Sequence, residues 1–186
     1  MKAHEFDSRK LDVPAFARDA GSLQGEWPAS QLGRLADVAA PETPVAAWPA
    51  VQWSLQGERR ELSGGAIETW LHLEASAEVS MTCQRCLQPV QESMSLERSY
   101  RFVRDEQEAA EQDIESEEEL LVLTRNLDVQ ELVEDELLLS LPLVPRHEQC
   151  PKPLEVPAGV AELSEEEAAS SERPNPFAAL AALKRK

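Results

Sequence analysis

Cysteine is scarce in this chain. There are 3 in 186 residues, an odd number and too few for a disulfide scaffold, so a reducing, cytoplasmic setting is expected. Long apolar runs are missing as well. No stretch approaches the ~20 residues that a transmembrane helix needs. Residues 1–12 carry Glu5, Asp7 and Asp12 without an apolar centre, unlike a secretory leader. Basic side chains are outnumbered, 18 Lys and Arg against 35 Asp and Glu, for a formal net charge of −17. Such a balance excludes a protein that coats nucleic acid by bulk charge, since phosphate binding needs cations. GxGxxG, P-loop and GxSxG patterns are absent. Only His4, His72 and His147 are available as imidazoles, and carboxylates are so frequent that no acid–base pair stands out. Neither catalysis nor a small-molecule substrate is expected. What is present, 42% hydrophobic and 28% charged residues, belongs to a folded domain with a core.

The charge has an order that the total hides. Residues 1–104 sum to −3, residues 105–172 to −18 and residues 173–186 to +4. The acidic half points to a basic partner.

Hydropathy along the chain predicts an α+β domain over residues 1–150: a small antiparallel β-sheet or barrel-like core packed with a few helices. Val13 to Arg18 opens a short helix with Pro14 in its first turn. Trp27 to Leu35 reads as a second, ended by Pro41 and Pro44. Between residues 45 and 104 the pattern turns to β. Val51–Leu55 and Ala77–Met81 alternate, Ile67 to Leu73 is bulky and apolar, Gly64-Gly65 is a turn, and Leu96, Tyr100 and Phe102 mark a further strand. Residues 105–119 hold nine acids in fifteen, a density that predicts a flexible loop. Asp128 then caps a helix over 128–141 with the stripe Val129, Leu132, Val133, Leu137 and Leu141, and Pro142 stops it. A Pro/Glu-rich linker covers 151–172. Residues 173–186 predict a short basic-tipped helix, with Asn175 as N-cap, Pro176 in the first turn, Phe177, Leu180 and Leu183 on one edge, and Lys184, Arg185 and Lys186 at the negative end of the dipole. Too short to hold alone, it is expected to dock onto its own domain or a partner.

The sharpest local feature is Cys83-Gln84-Arg85-Cys86. About sixty residues later comes His147-Glu148-Gln149-Cys150. Three sulfurs and one imidazole make a full tetrahedral set for structural zinc, and joining the pairs would tie the β region to the segment after the main helix. The plain alternative is three half-buried thiols in a reducing cell. A thioredoxin-type dithiol would open a helix after a strand, which Pro89 and the β flanks do not supply. Arg85, with Arg98, Arg101 and Arg104 around Tyr100 and Phe102, offers a weak RNA or partner contact. Residues three apart in a strand alternate faces, so these are not one patch.

Three ordered segments resemble the bacterial YceD family, the proteins for accumulation of large-subunit ribosomal RNA. They are the CxRC turn with Leu87 and Pro89; Val133-Glu134-Asp135-Glu136 through Leu141-Pro142-Leu143-Val144-Pro145 to His147; and Arg173-Pro174-Asn175-Pro176-Phe177 through Lys186. Leu32-Gly33-Arg34-Leu35 sits where proteobacterial members have a comparable stretch. The resemblance implies a non-enzymatic role in synthesis, processing or stability of 23S rRNA, with a basic ribosomal protein or the large-subunit rRNA precursor as partner, and it brings no catalytic residue. Some relatives outside the proteobacterial type carry further cysteine pairs near the C-terminus. His147 and Cys150 stand here instead, which leaves the metal open. A zinc-stabilised interaction module unrelated to ribosomes is the rival expectation.

Overall fold

A computed structural model describes residues 6–113, 116 and 118–151. The linker and the predicted C-terminal helix, with Asn175, Pro176, Phe177, Leu180, Leu183, Lys184, Arg185 and Lys186, lie outside the described residues. The elements run α1 (Val13–Arg18), β1 (Ser22–Trp27), α2 (Gly33–Ala36), β2 (Val51–Glu61), β3 (Ile67–Thr82), β4 (Pro89–Val103), α3 (Glu106–Gln112), β5 (Glu119–Val122) and α4 (Val129–Leu139), with short 3-10 turns at Ala29–Gln31 and Val45–Ala47. This is the α+β arrangement expected. The strands lie in sequence order in one open sheet. The first four pair antiparallel, and β5 joins β4 in parallel.

The period of two decides which face is buried. Val51, Trp53 and Leu55 on β2 and Leu71, Leu73, Ala75, Ala77 and Val79 on β3 point to one side, where Phe16 of α1, Leu32 and Leu35 around α2, and Val129, Val133 and Leu137 of α4 close over them. Asp12 and Asp128 cap α1 and α4 through their carboxylates, which accept from Ala15 N and from Gln130 N and Glu131 N. Glu134 of α4 receives the start of α2: its Oε1 accepts from Arg34 N at 2.8 Å and Leu35 N at 3.2 Å, while Oε2 meets the Arg34 guanidinium at 3.1 Å. Asp135 takes the other arm of Arg34. The Leu32-Gly33-Arg34-Leu35 stretch is therefore a clamp between two helices.

Several features depart from the sequence reading. The helix expected over Trp27 to Leu35 is broken: Trp27 ends β1, Ala29–Gln31 is a 3-10 turn and the α-helix is only Gly33–Ala36. Ile67–Leu73 and Ala77–Met81 are one continuous strand, because Glu74-Ala75-Ser76 holds no turn residue and keeps the alternation. Ser22–Trp27, for which the sequence predicts no strand, is the edge strand β1. Gly25 gives the indole room there: a Cβ would sit 3.1 Å from Trp53, which stacks on Trp27 with centroids 4.5 Å apart. Part of the expected acidic loop is α3, capped by Asp105, whose side chain accepts from Glu108 N.

Helix α1 rides directly on β2 at Gly57, where an added Cβ would come within 2.7 Å of the Phe16 ring and 2.9 Å of the α1 backbone. Backbone cannot rotate away, so Gly57→Ala is expected to destabilise the protein by about 1–3 kcal/mol in urea denaturation. A loss below about 0.5 kcal/mol, the level of a neutral surface change, would mean that α1 is not seated there.

Candidate metal centre

The β3–β4 hairpin ends in a six-residue loop between Thr82 and Pro89, and that loop is the CxRC motif. Cys83 N donates to Gln88 O at 2.9 Å and Leu87 N to Cys83 O at 2.9 Å, closing a tight knuckle. Leu87 is left at φ 59°, a left-handed conformation that costs on the order of 1 kcal/mol for a residue with a side chain. The chain leaving α4 returns to this knuckle: Gln84 N donates to Pro145 O at 2.9 Å. His147 and Cys150 follow.

All four predicted donors meet. Their ligand atoms lie within 4.8 Å of one another, Cys83 and Cys86 buried and the other two half-buried. The three thiols are free. Zn–S bonds of ~2.3 Å and Zn–N bonds of ~2.05 Å arranged tetrahedrally imply sulfur–sulfur edges of ~3.8 Å and sulfur–nitrogen edges of ~3.6 Å. Cys83 Sγ and Cys150 Sγ stand 4.0 Å apart, and Cys86 Sγ and His147 Nδ1 3.5 Å apart. His147 Nε2 lies 2.9 Å from Pro89 O. A carbonyl can only accept, so Nε2 carries the proton and the Nδ1 lone pair is turned to the cluster, the outer-shell contact that fixes a metal-ligating imidazole.

The electrostatics fit a cation. Burial pushes the Cys83 thiol up, but the backbone N–H groups of Cys86, Arg85 and His147 outweigh it and hold the thiol well below its ordinary value. Cys86 goes the other way, raised by burial and by the neighbouring Cys150 and Cys83 sulfurs. Three crowded sulfurs resist ionising together unless a positive charge joins them. Arg85 supplies one from outside: its Nε donates to Cys150 Sγ at 2.9 Å and its Nη2 to His147 O and Glu148 O at 2.9 and 3.2 Å. A divalent ion with three thiolates would carry −1, which this guanidinium balances. Arg85 thus sits across the cluster as a staple. Its partners stand more than sixty residues away in sequence, so no local signal marks that role.

The other predicted arginines are dispersed. Arg98 faces the helices and pairs with Glu136 at 3.1 Å. Arg101 is on the opposite face, bound to Gln112 Oε1 at 2.7 Å and to Glu68 at 3.5 Å. Arg104 pairs with Glu108 at 3.0 Å. His72, on the open face, lies 2.8 Å from both Ser99 Oγ and Glu58 Oε2. Arg60 grips the same Glu58 with two bonds, at 2.8 and 2.9 Å, so the group laces β2, β3 and β4 together.

A family model described as "Large ribosomal RNA subunit accumulation protein YceD" matches residues 71–184, well over half of the chain. The chain belongs to the YceD family. A curated YceD relative, the large ribosomal RNA subunit accumulation protein of Haemophilus influenzae, is 35% identical over 111 residues, covering 59% of this chain and 62% of the relative. The chain thus spans less than two thirds of that relative's length. No solved structure matches. The YceD match starts inside β3 and takes in all four candidate ligands, leaving α1, β1, α2 and β2 before it.

Two outcomes are expected. Protein purified under reducing conditions should carry a single equivalent of zinc by elemental analysis, and Cys83→Ser and Cys150→Ser should each lose it; metal-free wild type would refute the site. The Arg60 and His72 contacts hold the Glu58 carboxyl down from 4.5 to about 2. A folded-state value below the unfolded one adds stability above about pH 4.5 that is lost as pH falls toward 2. Glu58→Gln should therefore flatten the acid limb of the stability curve between those values in pH-dependent urea melts.

Proposed function

We propose that the chain is a non-enzymatic factor in large-subunit biogenesis, supporting the synthesis, processing or stability of 23S rRNA in the cytoplasm. The observation that carries this reading is membership of the YceD family, whose description names large-subunit RNA accumulation. Among the described residues no helix is long and apolar enough to cross a membrane.

In this reading zinc, held by Cys83, Cys86, His147 and Cys150, has a structural role. It would clip the strap after α4 to the tip of the hairpin, and a closed set of four protein ligands leaves no open position for substrate. The partner is a basic ribosomal protein, the large-subunit rRNA precursor, or both. Charge favours the protein. Arg98, Arg101 and Arg104 are each held by a carboxylate, so an RNA phosphate would have to displace an existing partner, whereas the acidic excess attracts cations directly.

The donor cluster by itself would equally suit a zinc-stabilised interaction module unrelated to ribosomes. Quantifying rRNA in a strain lacking the chain separates the two. A lowered 23S to 16S ratio, restored by the wild-type chain, is expected. An unchanged ratio would overturn the ribosomal reading and leave the module.

A further inference from the structure

The β3–β4 hairpin outruns the strands on both of its sides, so each side has an overhanging edge. On the β3 side, pairing with β2 ends at Ser76 opposite Gln52, and β3 runs on to Thr82. The chain before β2 closes that overhang: Ala40 N donates to Ser80 O at 2.8 Å, and Thr43 Oγ1 lies 2.9 Å from Ser80 Oγ. On the β4 side, β5 pairs only with Tyr100 to Val103. At the far end His147 Nε2 donates to Pro89 O. Between those two partners no strand among the described residues pairs with β4.

Alternation identifies the groups left open. In an antiparallel ladder a residue's N–H and C=O share one side, and successive residues take opposite sides. Gln88 O turns into the hairpin, where it accepts from Cys83 N. Pro89 O and Val103 O turn outward, to His147 and to Leu123 N. The pairing keeps one register throughout, so Gln91, Ser93, Ser95 and Glu97 face out. Among the described residues the only bond made by these outward groups is to Glu97 O, from the Arg98 guanidinium at 3.3 Å. At ~3.4 Å per residue the open stretch is ~20 Å long. Sheets ordinarily shorten such an edge, cover it, or break it with Pro or Lys. Residues 91–97 contain neither.

We propose that this edge of β4 is a docking site for one extended polypeptide segment of a partner protein, added as a strand in line with β5. It names how the basic protein partner of the reading above is held, and it rests on that reading. Donors and acceptors repeating every second residue match an extended peptide backbone and no nucleic acid. The gap between β5 and His147 admits about seven residues. At the knuckle end the strap supplies a second wall: Arg146, Glu148 and Gln149 stand across from Val90, Gln91 and Glu92 around a hollow of about 520 Å³. Alternate side chains of the added strand would lie beside Met94 and Leu96 on the helix side, and beside Ser93, Ser95 and Glu97 on the open side. The segment should therefore alternate apolar and polar residues. Glu92 near one end and Glu97 at the other, already opposite Glu74, favour basic residues among the polar ones. A second copy of β4 does not fit. Pairing 91–97 antiparallel with 97–91 would set Gln88 of that copy opposite Tyr100, where Glu119 already pairs.

The probe is a short peptide in which valine alternates with threonine and arginine, titrated into the full chain while amide hydrogen exchange is followed by NMR. The amides of Ser93, Ser95 and Glu97 should exchange freely in the chain alone and slow about tenfold or more with peptide, while those of Met94 and Leu96, bonded to β3, stay slow throughout. Two further peptides carry N-methyl groups at alternate positions, one in each phase. Only one set of peptide amides faces β4, so one of the two should lose affinity about tenfold or more and the other should bind nearly as well as the parent. Ser93→Pro with Ser95→Pro removes two donors that hold nothing in the free chain and should weaken the parent peptide similarly. No slowing at millimolar peptide, equal binding of the two methylated peptides, or the same slowing by a single-stranded RNA oligonucleotide would overturn the proposal. Slow exchange of Ser93 and Ser95 in the chain alone would overturn it too. Persisting on dilution, it gives the edge to the chain's own residues beyond 151; lost on dilution, to a second copy. In the deletion strain, restoration of the 23S to 16S ratio by the Ser93→Pro/Ser95→Pro chain would overturn the docking site and leave the rRNA role standing. Peptide binding at this edge, with an unchanged ratio in that strain, would keep the site and remove the role.

Discussion

The pairing of β3 with β4 is the constraint on which the rest depends. It runs from Thr69 opposite Phe102 to Thr82 opposite Pro89. Along it, Leu71, Leu73, Ala75, Ala77 and Val79 face Tyr100, Leu96 and Met94 on the buried side. A slip of one residue would turn all of them to solvent and bring Glu74 and Glu78 inside. The same ladder delivers the two cysteines of the knuckle at its tip. It also gives α4 the surface on which Val133 and Leu137 pack, and α4 aims the returning chain at the knuckle. Metal donors at residues 83–86 and 147–150 converge because one rigid hairpin and the helix lying on it share a frame.

Charge is organised on the same frame. The helix-facing side buries Glu134 and Glu136 and answers them with Arg34 and Arg98. The open side answers Glu58 and Glu68 with Arg60 and Arg101, and Arg85 is drawn to the thiol cluster. With these cations engaged inside the fold, the excess of acid is what solvent and partners meet. Among the described residues these arginines hold the fold, so they leave much of the acid behind the net charge of −17 unanswered.

Much was legible before any fold was known, where the signal was local. The Asp128 cap and the Val129, Val133 and Leu137 stripe defined α4, and alternation found β2. The CxxC and HxxC spacings named four donors that do meet. Illegible parts have non-local causes. β1 hid behind Gly25, over which the Trp53 indole lies closely from the next strand. β5 is a short strand paired in parallel with β4, and four apolar residues cannot announce a partner. The dense acids of 105–113 argued for a loop, yet Asp105 caps a helix there and Arg101 reaches Gln112 on it.

The sequence by itself determined α1, α4 and the long strands with their inward face, the donor residues and the acidic balance, because each depends on neighbours one to four positions away. Only the tertiary structure decided that the donors share one site, that Arg85 staples it, and that Glu74 meets Glu97. These contacts join residues tens of positions apart, and their partners follow from strand register and from the angle at which α4 crosses the sheet. No periodicity along the chain encodes either quantity.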